Sequence, residues 1–252
     1  MRAGLGVIRV GADSLQNLAA MVRMAREAAR GGADLVLFPE AALSGLINDD
    51  DPAHDLALGE PIPGPATETL VAVARELGIW IAFGLLERAG DRLYDTAVLL
   101  DAKGTLRLSY RRINPQWHGS SASPEVYRVG TGVDAVMTPW GKMAILICGD
   151  LFDDRAVAQA RALAPDWVLF PFAREFTGGG VAQGRWDREE MPFYAERVRI
   201  LAAPMLMVNY LADGATLPTD ASFGGAFVVL RNGTVAAQKP LGEEGLLMVD
   251  VP

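Results

Sequence analysis

The stretch Ala144-Ile145-Leu146-Ile147-Cys148-Gly149-Asp150 decides how this chain is read. Four apolar residues, two of them β-branched, run unbroken into the single cysteine of the sequence, and a glycine and an aspartate follow. A run this short and this apolar suits a strand covered on both faces. The thiol then sits at the strand's carboxyl end, where open α/β sheets hold their ligands. Gly149 frees a backbone N–H for close approach, and Asp153 or Asp154 is placed to cap the alanine-rich helix that follows. Strand, thiol, tight turn and helix make a nucleophile site; the competing reading is a small buried hydrophobe, the usual fate of a free cysteine.

The same grammar recurs upstream. Leu5 to Val10 reads as a first strand, and Asp13 or Ser14 caps a helix whose stripe is Leu18, Met21, Val22, Ala25 and Ala29 and whose end is Gly31-Gly32. Leu35-Val36-Leu37-Phe38-Pro39-Glu40 is a second buried strand that delivers a carboxylate where the later one delivers Cys148. A surface glutamate is the ordinary alternative, but the residues after it, Ala41 to Leu46, are too apolar for an exposed loop. A helix from about Ala66 to Leu77 and a strand from Ile79 to Gly84 follow, and Thr96 to Tyr110 forms a hairpin. That hairpin runs into Arg111-Arg112, whose adjacent side chains point to opposite faces of a strand, so that one can face inward while the other is solvated.

The segment from Gln116 to Gly132 is polar and irregular, as site loops are. The acidic run Asn48 to Asp51 with Asp55 lacks the ligand spacing of a calcium loop and reads as a solvated loop, with His54 a surface histidine. Downstream come a helix from about Asp154 to Leu163, a buried strand Trp167 to Pro171, a flexible glycine loop at Gly178 to Gly180, an amphipathic helix from Trp186 to about Ala202 with Pro192 a difficulty near its start, and a strand at Pro204 to Tyr210. Phe223 to Leu230, Val235 to Gln238 and Gly245 to Val251 close the chain as antiparallel strands. Strand and helix alternate without a composition shift, which argues for one α/β domain, residues 1–252, with a mixed sheet or two sheets.

Composition bounds the rest. Of 252 residues half are apolar and 21% charged, with a net charge of −8. That is a globular balance, and it speaks against nucleic acid or an anionic membrane as partner. No run approaches the length of a membrane span, and the N-terminus lacks a signal-peptide core. One cysteine makes no internal disulfide, which fits a cytoplasmic protein. One Cys and two His assemble no zinc site of the usual spacing, so no metal is expected.

Taken together these stretches resemble the nitrilase superfamily, the carbon–nitrogen hydrolases. Phe38-Pro39-Glu40 is similar to its first glutamate motif, Ile147-Cys148-Gly149-Asp150 to its nucleophile motif, and Pro124-Glu125-Val126-Tyr127 with Gly130 to the stretch carrying a second glutamate. Arg197, Asn209 and Phe223-Gly224-Gly225 also fit. The resemblance implies a four-layer α-β-β-α sandwich, a homodimer or larger assembly, no cofactor, and a small amide, N-carbamoyl compound or nitrile as substrate. It implies Cys148 as nucleophile, Glu40 as general base, Arg112 with the Gly149 N–H on the oxyanion, Glu125 orienting substrate or Arg112, and Tyr127 and Phe172 near the substrate. The chain departs from the family in three places: Arg112 stands where it has lysine, Asn114 replaces the histidine that commonly follows, and Leu151 to Asp154 lack its usual arginine. Arginine keeps the charge but is bulkier, pairs carboxylates at two points and gives up no proton. A binding protein that keeps the pocket without catalysis is therefore the second reading. A papain-like peptidase with His118 as base is a third, without the local signature around the cysteine that it needs.

Overall fold

The computed structural model describes residues 1–176, 182–214 and 222–251; the glycine loop at Gly178 to Gly180 lies outside them. The chain builds one six-stranded sheet from its first half and a second from its second half. Strands β1 (Arg2–Val7), β3 (Leu35–Leu37), β4 (Trp80–Ala89), β5 (Arg92–Leu100) and β6 (Leu106–Arg111) form the first, with β14 (Gly245–Asp250) on its edge, in the order β14-β1-β3-β4-β5-β6. Strands β7 (Ala135–Thr138), β8 (Gly141–Ile145), β9 (Trp167–Phe172), β10 (Met205–Asn209), β12 (Ala226–Val229) and β13 (Val235–Lys239) form the second, in the order β13-β12-β10-β9-β8-β7. Short β2 (Arg9–Val10) and β11 (Leu211–Ala212) pair in parallel between the two halves.

Alternation along the strands sorts the layers. In the first sheet Ala3, Leu5, Val7, Leu35, Leu37, Ala82, Ala97 and Leu99 face the second sheet's Leu169, Leu206 and Val228 in one buried core. The intervening Val36, Ile81, Phe83, Val98 and Leu100 face outward onto helices α1 (Ser14–Arg30) and α3 (Pro65–Leu77). Gly6 lies under α1, where a Cβ would come within 2.9 Å of Met24 and Phe38, so glycine sets how closely that helix packs. Helices α4 (Asp154–Ala162) and α6 (Met191–Leu201) cover the second sheet through Ala156, Val157, Ala160, Val198 and Leu201. The result is the α-β-β-α sandwich that the resemblance implied.

Several details differ from the sequence reading. The buried stripe of α1 is turned: Asn17, Ala20, Met21, Met24, Ala25 and Ala28 are buried while Leu18, Val22 and Ala29 are only partly so. Asn17 draws that face inward by bonding the Gly11 N–H and the Gly11 and Leu43 carbonyls. The strand from Ile79 continues to Ala89 and turns at Gly90 into β5. The last strand does not follow the hairpin before it but crosses to pair antiparallel with β1, Arg2 opposite Asp250. The helix containing Pro192 is interrupted: after a helical turn, α5 (Gln183–Arg185), residues Trp186–Glu190 form a π-helical turn before α6. Pro192 thus falls in the first turn of α6, where its missing N–H costs nothing. The acidic loop also ends differently, in α2 (Pro52–Leu58), capped by Asp51.

Candidate active site

Three separated chain segments meet at the carboxyl ends of the central strands. Glu40 follows β3 on a turn held by the Phe38 N–H on Ala82 O at 2.8 Å and the Gly84 N–H on Pro39 O at 3.1 Å. The turn presses so closely on β4 that a Cβ at Gly84 would lie 2.5 Å from Ala41 N and 2.7 Å from Glu40 Cα. Ala41 takes a φ of 44° to make it, a left-handed conformation uncommon for alanine. Cys148 does the same at the other end of the site, with a φ of 43°, as the first residue of the 3₁₀ turn Cys148–Phe152. Two non-glycine residues in this region within one cluster fit the observation that backbone strain collects where a side chain has to be aimed.

Arg112 completes the cluster. It ends the β5–β6 ladder, its N–H on Asp95 O at 2.8 Å, and its side chain is 3% exposed. Nη1 donates to Glu40 Oε1 at 2.7 Å and to Asp95 Oδ2 at 3.3 Å, and Nη2 donates to Asn114 Oδ1 at 3.4 Å. Arg111, on the opposite face, pairs with Glu87 and lies over the Tyr94 ring. Gly149 makes the space: a Cβ there would fall 2.5 Å from Arg112 Nη2 and 2.7 Å from Asn114 Oδ1.

Asp150 ties the arginine segment to the cysteine turn. Its Oδ1 accepts from the Ile113 and Asn114 N–H groups at 3.0 and 2.8 Å, and its Oδ2 from the Ile147 N–H at 3.0 Å and the Tyr110 hydroxyl at 2.7 Å. Burial lifts its carboxyl to about 6 against the pull of those donors.

Electrostatics follow from enclosure. Glu40 is fully buried, and desolvation, with the nearby Cys148, raises its carboxyl to about 8 against the Arg112 cation. Desolvation also holds the Asp95 carboxyl well above the usual aspartate range, with the Glu40 charge adding to it. Burial disfavours the Arg112 cation, yet the charges of Cys148, Glu40, Asp95 and Asp150 outweigh burial and keep it protonated. Among the described residues Glu40 Oε2, Asp95 Oδ1 and Arg112 Nε have no hydrogen-bond partner.

The carbon-nitrogen hydrolase model matches residues 4–252 of the chain. The chain belongs to the carbon–nitrogen hydrolase family. Among relatives of this amidase-like enzyme, the deaminated glutathione amidase of Homo sapiens is 29% identical over 90% of this chain and 69% of its own. An aliphatic nitrilase of Sinorhizobium fredii is 30% identical over 50% of this chain and 45% of its own. Among solved structures, a glutamate-to-glutamine mutant of the amidase from Nesterenkonia sp. AN1 superposes with a TM-score of 0.82 at 22% identity, covering 100% of this chain and 93% of that one. That structure shows the result of Michael addition of acrylamide at the active site cysteine.

Within this carbon–nitrogen hydrolase the remaining expected residues are placed unevenly. Glu125 is exposed, its N–H toward Ser123 Oγ, and no hydrogen bond or ion pair among the described residues joins it to Glu40, Arg112 or Cys148. Tyr127 is buried, but in a satellite cluster with Leu86, Leu93 and Trp117, its hydroxyl on Asp55 at 2.5 Å. The irregular loop is too short of apolar residues to bury more than Trp117 and Tyr127, so Glu125 between them is left to solvent. Phe172 is fully buried at the end of β9, 5.7 Å ring to ring from Tyr194. Arg197 anchors the cysteine turn through Leu151 O, and Asn209 clamps both the N–H and the carbonyl of Arg174.

The acidic loop is not simply solvated. Asp55 is buried and accepts from the Asp49 and Asp50 N–H groups and from Tyr127, with His54 Nδ1 at 2.7 Å. Asp49, His54 and Asp55 place ligand atoms within 4.8 Å of one another, but Asp55 is already spent on the loop's own donors. The sequence reading missed Asp95 and Tyr194. Asp95 has a visible signal, a lone acid inside the apolar run of β5; the Tyr194 ring is sealed beside Phe172 and Trp186, which helix periodicity alone does not reveal.

Proposed function

We propose that the chain hydrolyses the carbon–nitrogen bond of a small amide, with N-carbamoyl compounds and nitriles as the neighbouring substrate classes, through a thioester on Cys148. The observation that carries this reading is the meeting of buried Glu40 and Arg112 with half-buried Cys148, from three segments, in one cluster. Glu40 spends Oε1 on Arg112 and leaves Oε2 without a donor. In the first step that carboxylate takes the thiol proton as the sulfur attacks the carbonyl carbon. The carbonyl π pair becomes an oxyanion facing Arg112 and the Gly149 N–H. Collapse of that intermediate breaks the C–N bond, and Glu40 returns its proton to the departing nitrogen, so ammonia or an amine leaves and a thioester remains. Water then attacks the thioester with Glu40 again as base, releasing the carboxylic acid and the free thiol. Burial suits Glu40 to this exchange, since desolvation raises its affinity for the thiol proton, which it holds until the nitrogen departs.

A guanidinium serves where the resemblance implied an ammonium because the step asks it only for fixed positive charge. Glu125 has no part in this scheme. The test is ammonia release from a panel of small amides, N-carbamoyl compounds and nitriles, with intact mass of a trapped intermediate. Turnover that disappears in Cys148→Ala and a Cys148 acyl adduct are expected. A parent protein inactive on the whole panel, with activity appearing in Arg112→Lys, would instead mark a pocket disabled by its arginine.

A further inference from the structure

Two buried carboxyls, not one, converge on Arg112. Asp95 comes from β5 and Glu40 from the turn after β3, and both bond the same nitrogen, Nη1. Both side chains are 0% exposed. The shared Nη1 donor holds them side by side, and each keeps one buried oxygen, Glu40 Oε2 and Asp95 Oδ1, without a donor among the described residues. Two ionised carboxylates have only acceptors to offer each other. A single proton between them supplies the missing donor and leaves one negative charge against one guanidinium, which is the arrangement that burial tolerates.

We propose that Asp95 is a positioning residue of the active site: it fixes Arg112 against Glu40 and holds, on its own carboxyl, the one proton the two acids share. Asp95 thereby keeps Glu40 in the anionic form that accepts the thiol proton, while Arg112 is held from both sides. The other titratable groups facing this pair are Cys148, Asp150, Tyr194 and Tyr210, with Arg174 beyond the sulfur. Backbone register enforces the arrangement, because the Arg112 N–H on Asp95 O makes the two residues cross-strand neighbours. Such a carboxyl pair titrates as a unit, in two steps that belong to neither acid alone.

The inference rests on the reading of Cys148 as nucleophile, and its test separates the two. The chain has one cysteine, so iodoacetamide labels a single site and intact mass reports the rate at each pH without any turnover. In the parent, labelling is expected to rise with an extra inflection from the acid pair, and Asp95→Asn is expected to remove that inflection. Asp95→Asn that keeps the inflection unchanged overturns the proposal. So does a tenfold or greater acceleration at pH 7, which would show that Asp95 was an ionised neighbour of the sulfur rather than a protonated one. Should Asp95→Asn fail to fold, infrared spectroscopy of the parent decides: a protonated carboxylic acid band at pH 7 is expected, and its absence refutes the shared proton. A parent whose Cys148 is not labelled at any pH defeats the hydrolase reading, and the infrared band still judges Asp95.

Discussion

Arg112 Nη1 lies 2.7 Å from Glu40 Oε1 with both side chains closed to solvent. A buried pair of this kind contributes little net stability while intact and costs much when half of it is removed. Arg112→Met leaves the negative charge of the acid pair uncompensated and is expected to destabilise the fold by about 3 to 5 kcal/mol at pH 8. The loss is smaller at pH 5, where both acids take up protons. Arg112→Lys keeps the charge and the contact with Glu40 but loses the bond to Asn114. Denaturant melts at the two pH values check the first pair of outcomes. Ammonia release is expected to fall about a hundredfold or more in Arg112→Met and by less than about tenfold in Arg112→Lys, where the charge persists.

Gly149 and Arg112 make a second, independent test of the same geometry. A methyl group at position 149 would overlap Nη2 at 2.5 Å, so the guanidinium would have to shift away from its bonds to Glu40 and Asp95. Gly149→Ala is expected to cost about 1 to 3 kcal/mol in stability and, by displacing the charge roughly an ångström, about a hundredfold in kcat/KM. A lysine has nothing at the Nη2 position. Gly149→Ala combined with Arg112→Lys is therefore expected to be more active than Gly149→Ala alone, a non-additivity that a double-mutant cycle measures directly.

How far this was legible in the sequence depends on range. Strands such as Leu35 to Phe38 and Trp167 to Pro171 announce themselves because burial on both faces leaves an unbroken apolar run, and α1 announces its start through Asp13. Glu40, Arg112 and Cys148 stood out because each ends an apolar strand or hairpin. Glu125 was placed by motif likeness, which carries no information on whether an irregular loop folds inward. Asp95 was passed over because its partner is cross-strand, and pairing of β5 with β6 beyond the hairpin turn is not written in either strand alone. The crossing of β14 to β1 is hidden for the same reason: three closing strands read as a meander until both sheets are assembled.

Asp150 carries more of the site than its place beside the cysteine suggests. Its two oxygens take four donors from two segments, including the two backbone N–H groups that directly follow Arg112. Asp150→Ala strands buried N–H groups, each worth about 1 to 3 kcal/mol when unsatisfied, and is expected to leave a protein that melts early and lacks activity. Tyr110→Phe removes one donor only and is expected to cost about 1 kcal/mol while keeping most of the activity. Thermal melts and initial rates of the pair separate the staple from a general packing loss.

The acid pair also fixes how stability varies with pH. Burial raises Glu40 to about 8 from a reference near 4.5, and Asp95 is raised in the same direction. Between those values the folded chain holds a proton that the unfolded chain has released, so stability falls as pH rises, by up to about 1.4 kcal/mol per pH unit for each proton retained. This contribution is fully present below about pH 4.5 and gone above about pH 8. The parent is therefore expected to lose denaturation midpoint steadily from pH 5 to pH 8. Glu40→Gln, which keeps the shape and needs no proton to stay neutral, is expected to flatten that slope and to equal or exceed the parent's stability at pH 8. Urea midpoints for both proteins across this range decide it: parallel slopes would mean that removing the Glu40 charge leaves the retained proton untouched, so that the two acids do not titrate as a pair.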